Sequence, residues 1–321
     1  MSEPLQVSNS ALRTFQRCRR QWWLSTYLGY DSDPATAAPT GVAQLGTEVH
    51  LALQAWYGYD LSPTDVLHWR YGQLVAARPE ALAELEKERA YAVTMTEGYV
   101  EWVQGEGVDV GHEVLYVEHE LRVPLTLPDG RELLLRGKLD QLRKRLSDGA
   151  LLVVDFKTGD LSKVKGLVRD QQMRFYALML ALSLRGTRQH VAGALYTTLK
   201  RSKRTTRATP PFYAQTHIGY NRNDLNSTYL RVVEVTRQLV EVTAALDAGA
   251  DPRGVAYPNP TDYCDWGCPF VHVCPLFDDG SRALDALKAN FVQRDPWDYY
   301  RRDKIEQVLA AFGREPEKGD T

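Results

Sequence analysis

The clearest feature in the pattern of apolar and polar positions is a short run, LLVVDFKTG, at Leu151–Gly159. Four apolar residues, two of them β-branched, predict a strand buried on both faces, and the glycine marks its end. Residues two apart in a strand point to the same face, so Asp155 and Lys157 share one face while Phe156 takes the other. A carboxylate and an ammonium are costly to hold beside a core unless they share a ligand or take part in chemistry.

A second carboxylate is predicted to lie close by. Alternating apolar positions from 114 to 127 and from 131 to 145, joined by the turn at 128–130, predict a hairpin whose second strand includes Asp140 in GKLD. Hard oxygen ligands from Asp140 and Asp155 suit Mg2+ or Mn2+, and Lys157 can orient a water or stabilise charge on a phosphate. The alternative for the D-x-K triplet alone is a structural salt bridge at a strand end.

The rest of the chain is mostly helical in pattern. Helices are predicted at 8–27, 44–57, 64–78, 79–106, 171–184 and 224–248, with tail helices beyond 281 and further strands at 191–199 and 213–220. We divide the chain into an N-terminal helical region at 1–110, an α/β core at 111–250 and a C-terminal region at 251–321, within one integrated domain. The pattern at 64–106 predicts a helical insertion.

Composition adds few constraints. Of 321 residues, 44% are hydrophobic and 25% are charged, which is typical of globular proteins. The N-terminus has no apolar segment after a basic start, and no run of 18 apolar residues occurs, so we expect a soluble intracellular protein with no membrane partner.

The distribution of charge is more informative than its total. The net charge is −2, yet residues 171–223 contain nine Lys and Arg and no Asp or Glu, so this segment has a charge of +9 and the remainder −11. Local positive charge of this kind predicts a phosphate-binding surface. The candidate DNA-binding residues are Lys200, Arg201, Lys203, Arg204 and Arg207. The alternative is a solvated basic loop.

The four cysteines occur at the two ends of the chain. Three lie within eleven residues beside proline and glycine turns, which favours one four-thiolate site formed by Cys18, Cys264, Cys268 and Cys274. Disulfides are disfavoured in a reducing compartment. Thiolate chemistry alone permits either zinc or a 4Fe-4S cluster.

Together these motifs resemble the RecB-like branch of the PD-(D/E)XK nuclease superfamily. G-x-x-D followed by VVDFKTG is similar to the core of that branch, and GTEVH at 46–50, the pair Gln172-x-x-x-Tyr176 and the four cysteines match it in order. The resemblance spans about 8–274. It extends to the iron–sulfur exonucleases, which include CRISPR-associated and virus-encoded relatives and the AddB nuclease domain.

The resemblance implies a fold and a set of site residues. The fold is α/β, with a RecB-like core of a central mixed sheet flanked by helices, a helical insertion and a C-terminal four-cysteine iron–sulfur staple. His50 lies at the edge of a buried helix stripe, where position alone favours a hydrogen-bonded half-core residue, but the resemblance makes it a metal ligand. The implied ligands of Mg2+ or Mn2+ are His50, Asp140 and Asp155. The implied catalytic residues are Asp140, Asp155, Lys157, Gln172 and Tyr176. The four cysteines are the implied ligands of a 4Fe-4S cluster.

The resulting expectation is a metal-dependent DNA exonuclease acting on single-stranded DNA or DNA ends. Recombination, repair, phage DNA processing and CRISPR adaptation are the implied settings, in the cytoplasm of a bacterial or virus-infected cell. A helicase, a recombinase or a CRISPR-adaptation protein is an implied partner. The resemblance is also compatible with a homo-oligomer. Two alternatives remain open: a DNA-binding subunit with weak or latent nuclease activity, and a zinc-stapled nucleic-acid-binding module.

Overall fold

The computed structural model describes residues 4–34, 36–205, 207–301 and 304–315. The strands are β1 Leu5–Ser8, β2 Tyr30–Ser32, β3 His112–Thr126, β4 Glu132–Arg145, β5 Leu151–Gly159, β6 Val191–Lys200, β7 Tyr213–Gly219 and β8 Phe291–Gln293. The helices are α1 Asn9–Arg17, α2 Arg19–Trp22, α3 Val42–Tyr59, α4 Pro63–Ala77, α5 Leu82–Glu106, α6 Val164–Leu167, α7 Gln171–Ser183, α8 Arg222–Asp247, α9 Pro252–Val255, α10 Tyr263–Gly267, α11 Ala283–Asn290, α12 Asp298–Arg301 and α13 Lys304–Ala311.

The described residues group into two compact units. One comprises the described residues of 1–37, 122–137 and 226–302, and the other those of 38–121, 138–225 and 303–321. We call them the cysteine unit and the sheet unit. Each is formed from segments that are distant in sequence.

The sheet unit is centred on β5, whose bounds are those predicted. The end of β4 pairs antiparallel with β5, β5 pairs parallel with β6, and β6 pairs antiparallel with β7, which makes a mixed sheet. The first six residues of β5 are buried, as a continuous apolar run requires when both faces are covered. Leu152, Val154 and Phe156 pack on one side into a core shared with α3, α4, α5 and α13. The predicted mixed α/β architecture is therefore confirmed.

The helical segment between 42 and 106 forms as the pattern predicts. Ser62 caps α4 by accepting a hydrogen bond from the Asp65 amide, and Pro63 occupies the first turn, where its missing N–H costs nothing. The helix α3 has no side-chain cap of its own. Instead the amide of Gly41 donates to the Glu88 carboxylate over 2.7 Å, which ties the start of α3 to α5.

The prediction of one continuous helix at 8–27 is wrong, because the helix is interrupted at Cys18. The helix α1 ends at Arg17, Cys18 adopts an extended backbone, α2 then begins, and Trp23–Tyr27 forms a π-helical turn. The Cys18 Sγ accepts from the Gln21 amide over 3.5 Å and so caps α2. A residue that caps the start of a helix has an extended backbone, so Cys18 cannot also lie inside a continuous helix.

The cysteine unit contains three strands that the pattern did not predict. The strand β1 pairs parallel with the first residues of β4, and β2 pairs antiparallel with β8. These strands are three or four residues long, too short to show a period of two. Within the part of the chain that is described, no helix combines the length and apolar character needed to span a membrane.

Candidate active site

The strand β5 brings a buried carboxylate and a lysine to one face of the sheet. Asp155 is 5% exposed, and the Lys157 ammonium donates a hydrogen bond to its Oδ1 over 2.9 Å. The same ammonium lies 2.8 Å from Oδ2, but without hydrogen-bond geometry, so this buried oxygen accepts no hydrogen bond within the described chain. Burial raises the pKa of Asp155, and Lys157 acts against that rise. A buried oxygen with unused lone pairs is suited to a cation.

Asp140 and His50 meet at the peptide group of Phe156. The Phe156 amide donates to Asp140 Oδ2 over 2.8 Å, and His50 Nε2 lies 2.8 Å from the Phe156 carbonyl oxygen, to which it donates. The other ring nitrogen, Nδ1, lies 3.4 Å from Asp140 Oδ2. Burial and the neighbouring charge of Asp155 raise the pKa of Asp140. The structure thus brings together His50, Asp140, Asp155 and Lys157, which the sequence had proposed as one site.

Glu118 is a site residue that the sequence reasoning missed. Ligand atoms of His50, Glu118 and Asp140 all lie within 4.8 Å of one another, the one such group of His, Cys, Asp or Glu found in the described residues. The Glu118 backbone is left-handed, with φ of 50°, and its side chain is 15% exposed. Burial, followed by the charge of Asp140, raises its pKa to about 7.

An acidic residue on an outer strand is ordinarily solvated, so the sequence gives little reason to expect Glu118 as a ligand. A left-handed residue breaks the alternation of a strand, so alternation could not indicate the direction of Glu118. The sequence does contain one weak indication of this ligand, because Glu118 and Glu120 lie in a strand that pairs with the strand of Asp140.

The donor set fits a divalent metal ion. The carboxylates of Glu118 and Asp140 converge with the imidazole of His50, and these are the oxygen and nitrogen ligands that Mg2+ and Mn2+ accept. The Phe156 carbonyl and the Asp155 carboxylate lie next to this group. The raised pKa values of Glu118, Asp140 and Asp155 have burial as their largest cause. A bound cation would remove this penalty by stabilising the charged carboxylates.

The helix α7 begins beside Lys157. Asp170 caps it by accepting from the Gln172 amide over 2.9 Å, and its other oxygen lies 4.0 Å from the Lys157 ammonium. Gln172 Nε2 donates to the Tyr176 hydroxyl over 3.2 Å, as expected for residues four apart on one helix face. Asp170 was not predicted, and it links the start of α7 to the lysine of β5.

The basic loop at 200–207 leaves the sheet next to the end of β5. In the parallel pairing of β5 with β6, Lys200 is opposite Gly159, and the Arg201 amide donates to the Gly159 carbonyl over 3.1 Å. Arg204 is paired with Glu101 over 2.6 Å, and the Lys203 ammonium lies 5.3 Å from the ring centre of Tyr91.

The remaining cations of this loop differ in their environment. Lys200 donates to the Thr209 carbonyl over 3.2 Å, whereas the exposed Arg201 and Arg207 have no ion pair with any described residue. These two guanidinium groups are therefore the ones most available to a phosphate.

The four cysteines lie in the cysteine unit as free, half-buried thiols. The Cys18 sulfur accepts from the amides of Gln21 and Asn259 over 3.5 and 3.4 Å. Burial raises the pKa of Cys274 to about 11, and the charges of Arg20 and Cys18 act next on this thiol. Cys268 has a pKa raised mainly by burial, and further by the nearby Cys18 and Cys264. All four thiols are thus near one another.

Their spacing is informative about the group that they could hold. No three ligand atoms of these cysteines lie within 4.8 Å of one another in the described residues. A tetrahedral zinc site with Zn–S bonds of about 2.3 Å would place its sulfurs about 3.8 Å apart. The sulfur atoms of the described cysteines therefore do not form a ready-made tetrahedral zinc site.

Comparison with known proteins identifies the superfamily. Residues 6–275 match the family described as the PD-(D/E)XK nuclease superfamily. The chain is similar to the protein in the crystal structure of SSO0001, with 14% sequence identity and a TM-score of 0.36. The match covers 86% of this chain and 88% of that protein's chain. No curated protein matches significantly. The chain belongs to the PD-(D/E)XK nuclease superfamily, whose members are typically metal-dependent nucleases.

Proposed function

We propose that this protein is a Mg2+- or Mn2+-dependent deoxyribonuclease of the RecB-like kind that digests single-stranded DNA or DNA ends as an exonuclease. The observation that supports this function best is the convergence of His50, Asp140 and Asp155 on the Phe156 peptide, with Lys157 beside them. Membership of a nuclease superfamily supports the same reaction class. The choice of an exonuclease rests on the resemblance in motif order.

Each residue of the site has a role in phosphodiester hydrolysis. His50, Glu118, Asp140, Asp155 and the carbonyl oxygen of Phe156 would hold the ion, which lowers the pKa of a water and neutralises charge on the phosphate. Lys157 is held by Asp155 on one side and faces Asp170 on the other, so its ammonium has a fixed direction. From there it orients the attacking water or stabilises the phosphate oxygens of the transition state.

DNA would approach along α7 and the basic loop. Gln172 and Tyr176 share one face of α7, whose first turn is tied to Lys157 through Asp170, and they would contact the substrate backbone there. Arg201 and Arg207 would bind phosphates without reading sequence. A nuclease that degrades DNA of any sequence needs contacts of this kind.

For the cysteines we propose a 4Fe-4S cluster that joins the N-terminal segment to the C-terminal segment. The choice of an iron–sulfur cluster over a single zinc ion rests on the resemblance in motif order, and the charge interactions that link the thiols support one shared group. The charges of Arg17 and Arg20 act against the burial that raises the pKa of Cys268 and Cys274, and so favour the thiolates that iron binds. The role of this staple is structural, because hydrolysis transfers no electrons.

Replacing either central carboxylate with its amide should abolish hydrolysis. Asp140→Asn and Asp155→Asn keep the side-chain shape but remove a charged ligand, so we expect a loss of roughly a hundredfold or more in rate. The measurement is degradation of linear single-stranded DNA with Mg2+ or Mn2+, and Glu113→Gln, an exposed position on β3, is the matched control. A wild-type rate in either variant would contradict the proposal.

The same assay on circular DNA separates two kinds of nuclease. An exonuclease leaves circles intact while it digests linear DNA of the same sequence. Cleavage of circles at the linear rate would replace the exonuclease with an endonuclease, and an absence of cleavage of either substrate would favour a DNA-binding subunit with latent activity.

The two unpaired arginines of the loop should dominate phosphate contact. We expect Arg201→Ala with Arg207→Ala to reduce the slope of log affinity against log salt by about 1.4, because each single-strand phosphate contact contributes about 0.7. Titration of single-stranded DNA at several salt concentrations measures this slope. The control is Arg237→Ala with Arg282→Ala, since both arginines are exposed and paired with glutamate or aspartate. Equal slopes in all three proteins would show that the loop is only a solvated surface.

Loss of a single thiol should destabilise the protein before it affects the chemistry. Cys18→Ser and Cys274→Ser should lower the melting temperature and remove absorbance near 400 nm, because each removes one of four ligands. Asp155→Asn is the reciprocal control, which should keep the absorbance and lose activity. The result that overturns the cluster is one zinc and no iron in anaerobically purified wild-type protein.

A further inference from the structure

The active-site region contains a second lysine that no motif accounts for. Lys138 lies two residues before Asp140 in β4, so both side chains point to the same face. Its ammonium is 3.1 Å from Glu118 Oε2, and the two side chains are only 13% and 15% exposed. Glu118 is also one of the three residues whose ligand atoms converge.

Another ion pair between the same two strands, β3 and β4, is much more exposed to solvent. Lys144 and Glu113 are 3.2 Å apart, but their side chains are 40% and 50% exposed. Burying an ion pair ordinarily adds little stability, since desolvation cancels the attraction. The backbone at Glu118 is left-handed as well, a conformation that is strained for a residue other than glycine. Strain of this kind is concentrated at functional sites.

The charges of the site suggest what Lys138 does there. The charged groups are four carboxylates and two ammoniums, those of Glu118, Asp140, Asp155, Asp170, Lys138 and Lys157. When all six of these groups are ionised, as a bound cation favours for the carboxylates, the sum is −2, which a single divalent ion balances. Without Lys138 the sum is −3, so one ion would leave a net negative charge facing the phosphate of the substrate.

We infer that Lys138 is a fixed cation that neutralises Glu118 and thereby takes the place of a second divalent ion, so that the site uses one metal ion. This inference rests on the proposed metal site and goes beyond it by assigning the number of ions and the residue that sets it. The ammonium is tethered to β4 and held 3.1 Å from Glu118, so its position is set before any ion or substrate binds. Lys138 then stabilises the charge of the bound phosphate through space, which a second ion would otherwise do.

The experiment counts manganese ions without using catalysis. Mn2+ is titrated into metal-free protein without DNA, and bound ions are counted by electron paramagnetic resonance and by calorimetry. Wild type and Lys138→Arg should bind one ion at this site, and Lys138→Met should bind two. The double variant Lys138→Met with Glu118→Gln should return to one, because the vacated carboxylate is then gone. Lys144→Met is the matched control and should bind one.

A second variant keeps the inference testable if Lys138→Met does not fold. Glu118→Gln removes a ligand and leaves the lysine without its counter-charge, whereas the double variant with Lys138→Met removes the ligand alone, so the single ion should bind about tenfold more weakly in Glu118→Gln than in the double variant. One ion in Lys138→Met with the affinity of Lys144→Met, or equal affinities in Glu118→Gln and the double variant, would overturn the role of Lys138. If wild type binds no ion at all, it is the metal site itself that fails.

Discussion

The peptide group of Phe156 is the point on which the geometry of the site depends. Its amide holds Asp140, its carbonyl holds His50, and the residues on either side of it are Asp155 and Lys157. The ring of Phe156 lies on the opposite face of the strand from Asp155 and Lys157 and packs against Tyr57 and Tyr99, with ring centres 5.8 and 6.1 Å away. Phe156 therefore contacts the site residues through its peptide group and the helices α3 and α5 through its ring.

The helices α3 and α5, which supply Tyr57 and Tyr99, are held in place by a buried polar network. The Tyr57 hydroxyl lies 2.7 Å from that of Tyr99 and donates to Asp109 over 2.6 Å. Asp109 also accepts a hydrogen bond from the fully buried Arg143 on β4. These hydrogen bonds restrain the residues that make them, although Nη2 of Arg143 has no hydrogen-bond partner among the described residues. The helix α3, which supplies His50, therefore keeps a fixed position against the strand that supplies Asp155.

Much of this site could be predicted, because it is formed by short-range geometry. The bounds of β5 follow from its apolar run, and the shared face of Asp155 and Lys157 follows from the strand period. Glu118 could not be predicted, since its direction depends on a left-handed backbone. At the break, the Cys18 sulfur also accepts a hydrogen bond from the amide of Asn259, 241 residues away, a contact that no local pattern encodes. Asp170 could be recognised as a helix cap, but its approach to Lys157 is a tertiary contact.

The proposed function requires that His50, Asp140, Asp155 and the Phe156 carbonyl form a single metal-binding site. The most direct measurement is a crystal structure of the protein soaked in Mn2+, with anomalous diffraction used to locate the ion. We predict an anomalous peak within roughly 2.0–2.4 Å of a nitrogen of His50 and of oxygens from Asp140 and Asp155, the range of distances for such ligands. A fully soaked crystal with no peak at this position, or with manganese bound only elsewhere, would contradict the account.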